Sequence, residues 1–377
     1  MKEKVRFIFV DLLRGWALLV MFEVHSFNVL LKPALQKTEW FSQLNFVNGL
    51  VAPSFLFISG FAFVLSTQKN LDELRRFGEK FWKKISRIVL IFLAGYSLHI
   101  PFLSIRLIHE RANQDMMLAA YNVDILQCIA AGLLFIFIAR LIFKSDKHYN
   151  IFLIASFLIV VFISPLVWQI NFINFLHPFI AGYFNPNSGS YFPLFPWLGF
   201  LLAGAIACPF YLQERERGNE KKFMYTLALS GLALAFAGHF YLSEIVDLGS
   251  NLVKPHPAFF FQRLGYVLFL LGLCWYYAEV RQTKTSFVLD IGRESLLVYW
   301  LHLQVLYRHV LHGGQNVASI YGGTFNVWQS ALFTVALALS MIIVAKVWGA
   351  IKKKYKWFSS RLALTVVVVC IVIFFIY

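Results

Sequence analysis

The sequence predicts an all-α protein: a polytopic transmembrane helical bundle of about eleven spans, with a cytoplasmic N-terminus and an outward-facing C-terminus. Three observations predict it. Apolar residues make up 59% of the 377-residue chain and charged residues only 14%, against roughly 25% charged in a soluble domain. The apolar residues gather in runs of about 20, the length a helix needs to cross the hydrocarbon of a bilayer. The Lys and Arg residues collect in alternate connections between those runs.

The runs lie near 8–30, 48–67, 86–104, 122–142, 150–168, 191–211, 223–243, 258–279, 287–307, 326–348 and 361–377. The last is short, so a ten-span arrangement is the alternative. The first follows Lys2, Lys4 and Arg6, is too long for a cleavable signal peptide and lacks a small-residue cleavage site, so it reads as a retained signal anchor. One set of alternate connections, with adjoining helix ends, carries 26 of the Lys and Arg residues and the other carries 7, with Arg14 alone inside a span. The positive-inside rule places the richer set in the cytoplasm. The formal charge of +15 is therefore a topology signal, and no nucleic-acid partner is expected. The Phe- and Lys-rich composition suggests an AT-rich bacterial genome, and the expected location of the spans is a bacterial cytoplasmic (inner) membrane. Cys128, Cys208, Cys274 and Cys370 sit in apolar runs without paired spacing, which predicts neither a disulfide framework nor a metal site.

Residues 169–190 contain no Lys, Arg, Asp or Glu but include Phe172, Phe175, His177 and Phe179, which predicts an outer interfacial or re-entrant segment. Residues 32–47, with Trp40 and Phe41, read the same way. No separate soluble domain and no internal repeat is visible, so residues 1–377 read as one transmembrane domain.

Ionisable groups inside a span are costly unless paired or hydrated, and so mark candidate functional residues. The first span holds Asp11, Arg14, Glu23 and His25. Asp11 and Arg14 are spaced i, i+3 on one face. Arg14 and His25 lie about three turns and about 16 Å apart on that same face, and Glu23 falls on another. A cation near the cytoplasmic mouth suits an anionic ligand, and a deeper imidazole suits proton or group transfer. The alternative is an interfacial Asp11–Arg14 pair with a hydrogen-bonded His25.

The ninth span opens Gly292-Arg293-Glu294-Ser295 and continues to Tyr299 and His302. Ser295, Tyr299 and His302 share a face by i, i+4, i+7 spacing. Arg293 reads either as an anion-binding group or as a snorkelling interface residue. Asp124, with Gln127, shares the expected membrane depth of His25 and reads either as an orienting carboxylate or as a helix cap. Arg263, at the outer start of the eighth span, either faces an anionic substrate or anchors the helix.

The first span reads Val10-Asp11-Leu12-Leu13-Arg14-Gly15-Trp16-Ala17 and then His25. This resembles the opening of the transmembrane acyltransferase superfamily, which includes the acyltransferase-3 family and the heparan-α-glucosaminide N-acetyltransferase family. Four further stretches resemble bacterial relatives of the latter: Ala52-Pro53-Ser54-Phe55-Leu56-Phe57-Ile58-Ser59-Gly60, Asp124-Ile125-Leu126-Gln127, Phe192-Pro193-Leu194-Phe195-Pro196-Trp197-Leu198-Gly199, and Gly292-Arg293-Glu294-Ser295-Leu296 through Tyr299 and His302. One departure stands out. The lysosomal enzymes carry a His in the loop before the P-x-F-x-F-I-x-G stretch, whereas residues 32–47 here have none and His25 is the nearby imidazole.

The resemblance implies acyl transfer across the membrane, with cytosolic acetyl-CoA as donor and co-substrate and an amine or hydroxyl of a sugar or glycoconjugate as outer acceptor. It implies His25 as catalytic base or transient acyl carrier, with Arg14 and Asp11 on the donor side, and it keeps a homodimer open. The chemistry of acyl transfer adds Arg293 for the donor phosphates, Asp124 or Glu23 to orient His25, and His302 or Tyr299 to stabilise the oxyanion. The competing reading is a multi-span transporter or lipid-linked substrate flippase, because polar residues within spans also mark substrate paths.

Overall fold

A computed structural model of the chain describes residues 7–67, 71–102, 104–245, 253–282, 285–308 and 315–355, together with 362, 365, 368–369 and 372–376. The fold is an all-α bundle, as predicted. Its main helices are α1 (Ile8–Leu30), α2 (Glu39–Asn48), α3 (Val51–Thr67), α4 (Glu79–His99), α5 (Ile125–Ile142) and α6 (Asp146–Gln169). They continue with α7 (Leu194–Glu216), α8 (Glu220–Ile245), α9 (Pro257–Trp275), α10 (Phe287–Arg293), α11 (Ser295–Tyr307) and α12 (Val327–Lys354).

Among the described residues, seven helical segments are long and apolar enough to cross a membrane: Glu39–Thr67, Ile125–Ile142, Asp146–Gln169, Leu194–Glu216, Glu220–Ser243, Pro257–Val280 and Val327–Lys354. Helices α1 and α4 are as long but carry more charge, including Asp11, Arg14 and Glu23 in one and Lys83, Lys84 and Arg87 in the other. Two predicted spans differ in form. The second lengthens backwards, because α2 precedes α3 with only Gly49 and Leu50 between them. The ninth is divided into α10 and α11 at Glu294, whose backbone (φ −103°, ψ 27°) leaves the helical region. Eight of the 17 residues of the predicted span 361–377 lie outside the described residues.

The chain packs as two compact units. The first comprises Met1–Leu13, Ala52–Tyr96 and Tyr121–Gln282. Bilayer helices cannot rely on water expulsion to associate, so close backbone packing through small residues holds them together. A side chain added at Gly60 would put its Cβ 1.9 Å from the Leu201 carbonyl oxygen, and one at Gly204 would fall 1.9 Å from that of Phe57. These glycines therefore let α3 and α7 touch backbone to backbone. Gly231 and Gly265 do the same for α8 and α9, each facing the other's carbonyl oxygen. At one end of α7–α9, Glu220 accepts hydrogen bonds from Tyr211 Oη (2.5 Å) and Trp275 Nε1 (2.8 Å).

The predicted outer segment 169–190 folds as three short turns, Phe172–Asn174, Pro178–Ala181 and Pro186–Ser188. It is tied down by buried Asn185, whose amide donates to the carbonyls of Val167 (3.1 Å) and Ile170 (2.6 Å).

The second unit comprises Arg14–Val51, Ser97–Ala120 and Thr283–Tyr377. The end of α1 is stitched to the turn before α12 by a bridge between Leu31 and Phe325, in which Lys32 N donates to Phe325 O (2.9 Å) and Phe325 N to Leu30 O (2.8 Å). Beneath it Phe27, Leu31 and Phe41 form a buried apolar cluster, which is where the 32–47 segment packs.

Close packing generates a test. Gly204→Ala is expected to cost about 1–3 kcal/mol, because a backbone must move to admit the methyl group. Gly349→Ala, in α12 with its nearest neighbour 3.9 Å away, is expected to be neutral or to gain up to about 1 kcal/mol of helix propensity. Thermal unfolding of both variants in detergent checks the contrast; equal midpoints would contradict it.

Candidate functional site

The site of the second unit begins where α1 meets α10. A Cβ on Gly15 would lie 2.0 Å from the Val288 carbonyl oxygen, so only glycine permits this contact. Beside it, Arg14 Nη1 reaches the Gly292 carbonyl at 3.4 Å, at the end of α10. The last carbonyls of a helix lack intrahelical partners and attract cations. The Arg14-Gly15 pair of the opening motif is thereby accounted for locally, as a close helix contact and a capping cation.

The break at Glu294 has its own restraint. Lys352 of α12 donates to both carboxylate oxygens of Glu294, at 3.0 and 2.8 Å. Arg293, the last residue of α10, is exposed.

Further along the two helices, aromatic and imidazole rings converge. His302 is wholly buried and lies with its ring centroid 5.4 Å from that of His25. Tyr299 approaches His302 edge-on at 5.6 Å and Phe22 at 5.1 Å. His302 Nδ1 is 3.0 Å from the Val298 carbonyl oxygen. A carbonyl can only accept, so Nδ1 carries the hydrogen and Nε2 of the neutral ring presents a lone pair. That Nε2 is buried and has no hydrogen-bond partner among the described residues. His25 Nδ1 lies 3.3 Å from the Tyr307 hydroxyl.

The structure thus brings His25, Tyr299 and His302 together and sets Arg14 on the end of α10. Glu23, on the other face of α1 as the spacing predicts, is hydrogen-bonded by Asn48 of α2. Asp11, Asp124 and Arg263 belong to the first unit. Asp124 is the N-cap of α5, its Oδ1 accepting from Ile125 N at 2.7 Å. Arg263 is buried, with its guanidinium over the Phe259 ring at 5.2 Å.

Two site residues escaped the spacing rules. Tyr307 lies five residues beyond His302, off the i+4 and i+7 positions that define the His302 face, and its tie is to another helix. Arg308 entered only as a charge to be counted. It donates to the carbonyls of Ser97 (2.6 Å) and Ile100 (3.1 Å) and to Gln304 Oε1 (2.6 Å), pinning the end of α11. Trp300 Nε1 adds a bond to Ser97 Oγ at 2.8 Å. No group of three or more His, Cys, Asp or Glu side chains suited to a metal converges among the described residues.

Among known families, the one described as heparan-alpha-glucosaminide N-acetyltransferase, catalytic, has a model that matches residues 6–243. The match takes in Asp11, Arg14, Glu23, His25 and Asp124 and ends before Arg263, Arg293, Tyr299 and His302. No curated protein matches the chain.

The geometry separates buried His302 from half-buried Arg308 by purpose. His302→Leu removes one hydrogen bond and an orphaned acceptor, so stability is expected to stay within about 1 kcal/mol of the parent. Arg308→Leu strips donors from two carbonyls and is expected to cost about 2–3 kcal/mol. Thermal unfolding in detergent distinguishes them, and equal losses would make His302 a structural residue.

Proposed function

The chain belongs to the heparan-alpha-glucosaminide N-acetyltransferase catalytic family, and from that premise we propose that it transfers an acetyl group from cytosolic acetyl-CoA to an amine or hydroxyl of a sugar or glycoconjugate on the opposite side of a bacterial cytoplasmic membrane. Family membership and the apolar helices give the coarser statement, an integral membrane protein of an acetyltransferase family. The donor, the acceptor and the residue roles are the proposal.

The observation that carries the residue assignment is the buried Nε2 lone pair of His302 beside His25. Leaving a buried acceptor unpaired costs about 1–3 kcal/mol. A group waiting for a substrate proton is a physical reason to bear that cost. The same tautomer excludes His302 Nε2 as a hydrogen-bond donor to an oxyanion, so the hydroxyls of Tyr299 and Tyr307 take that role. On a two-step route His25 first displaces the CoA thiolate, and the acceptor then attacks the acetyl-imidazole carbonyl and breaks its C–N bond. On the direct route the acceptor nitrogen or oxygen attacks the thioester carbonyl carbon. On either route the acceptor's proton passes to the imidazole pair, the C–S bond breaks, and the thiolate leaves with a proton as free CoA. Arg14 and Arg293 attract the donor phosphates electrostatically. This reading revises the expectation that His302 stabilises the oxyanion.

Purified protein given acetyl-CoA and glucosamine is expected to release free CoA thiol. His25→Ala and His302→Leu are each expected to lower kcat by about 100-fold or more, the usual scale of general acid–base catalysis. Acetyl-CoA binds only the folded chain and so raises its unfolding temperature. That rise is expected to persist in both His variants and to weaken in Arg14→Ala. Full turnover in either His variant contradicts the assignment. Donor-independent uptake or flipping of substrate, with no thermal response to acetyl-CoA, favours the transporter.

A further inference from the structure

The acetyl-transfer reading uses His25 and Tyr307 without saying what holds them to each other. His25 Nδ1 and the Tyr307 hydroxyl are 3.3 Å apart, with the two rings edge to face at 6.0 Å. Both residues sit close to a helix end. Tyr307 is the last residue of α11, and His25 precedes Leu30, the last residue of α1, by little more than one turn. The last carbonyls of a helix have no intrahelical partner, and a helix end frays unless something outside it takes them up.

The connection 316–325 takes up both ends. On the α1 side, Gly323 N donates to Val29 O (2.9 Å), Phe325 N to Leu30 O (2.8 Å), and Lys32 N returns a bond to Phe325 O (2.9 Å). Gly323 reaches Val29 from a left-handed backbone (φ 67°), which favours glycine. On the α11 side, Asn316 Nδ2 donates to Tyr307 O at 2.9 Å. The Asn316 side chain is itself fixed. It is buried, its Oδ1 accepts from Ser319 N (2.6 Å), and Asn316 N donates to Ser319 Oγ (2.9 Å), closing a capping box on the short helix Val317–Tyr321. Capping needs only Oδ1, so the Nδ2 bond to Tyr307 is an addition to it. Asn326 provides the comparison: it closes the same kind of box with Gln329 at the start of α12, with both bonds at 2.9 Å.

We propose that Asn316 is a positioning residue for the His25–Tyr307 pair. Through the Tyr307 carbonyl it fixes the end of α11 to the same short connection that grips the end of α1, and so holds the Tyr307 hydroxyl at His25 Nδ1. The consequence for turnover rests on the acetyl-transfer reading; the geometry does not. A hydrogen bond at one ring nitrogen of a histidine sets the state of the other. With the hydrogen on Nδ1 donated to the Tyr307 oxygen, Nε2 carries the lone pair that a base or acyl carrier needs, and the hydroxyl hydrogen is not spent on His25. Asn316 acts on the chemistry only through Tyr307.

The test has one arm without turnover and one with it, both on the full chain in detergent. Asn316→Ser keeps a capping oxygen but is too short to reach Tyr307 O, and Asn326→Ser is the capping control. Nitrogen NMR of ring-labelled histidine, with the His25 signal assigned by its loss in His25→Ala, reads the Nδ1 environment. That signal is expected to move in Tyr307→Phe and in Asn316→Ser and to stay in Asn326→Ser. An unmoved signal in either of the first two overturns the proposal, whatever the turnover. In the transferase assay, Asn316→Ser is expected to lower kcat by about 10–100-fold, the scale of an ångström-level misplacement. KM for acetyl-CoA is expected to hold, the imidazole limb of the pH–rate profile to shift, and Asn326→Ser to match the parent. In a Tyr307→Phe background Asn316→Ser is expected to cause no further loss; a full additional loss there makes Asn316 merely structural and overturns the proposal. An inactive parent contradicts the acetyl-transfer reading alone, and the spectra then decide the positioning. Where Asn316→Ser fails to fold, Asn316→Asp, which keeps the capping oxygen and replaces the donor by an acceptor, is judged by the same two outcomes.

Discussion

The close approach of α1 to α10 at Gly15 is the contact on which the site depends. With no side chain there, the α1 backbone meets the Val288 carbonyl directly. From that contact to His25 is ten residues of α1, about 15 Å along the helix axis, and over that stretch α1 reaches the ring of His302 on α11. Any side chain at Gly15 would push the helices apart at their start and separate the imidazoles at their end. The glycine thus sets the spacing of the two imidazoles without touching either.

A second constraint follows from the solvent. In hydrocarbon, backbone groups freed by a broken helix must find partners within the protein. The break at Glu294 meets that demand locally. Glu294 N bonds back to Asp290 and Ile291, Arg14 covers the Gly292 carbonyl, and Lys352 neutralises the Glu294 side chain. Arg14 and Glu294 therefore have structural partners. The buried imidazole of His302 differs in kind, because its Nδ1 is satisfied while its Nε2 is left over. Protein structure tolerates such an orphan where function uses it.

Much of this was legible in the sequence. Apolar runs located the helices because crossing a bilayer imposes a length, and the shared face of Tyr299 and His302 followed from helical spacing. The opening motif located Arg14 and His25. Other features were not legible, for physical reasons. The break at Glu294 carries no proline, and a helix-compatible residue there conceals it. The union of α2 with α3 was hidden because α2 is polar enough to read as an interfacial or re-entrant segment. Tyr307 meets His25 across two helices, a relation no single-helix period encodes. Asp124 had two readings in the sequence, and its bond to Ile125 N displays the cap.

The central claim is that His25 and His302 act as one proton-handling unit. A double-mutant cycle on kcat/KM for acetyl-CoA-dependent transfer, using His25→Ala, His302→Leu and the pair, tests it most directly. Residues that act as a unit are strongly non-additive. The double variant is therefore expected to be no slower than the slower single variant. Losses that multiply, each substitution exerting its full effect in the other's absence, would show that the two imidazoles work independently and would contradict the account.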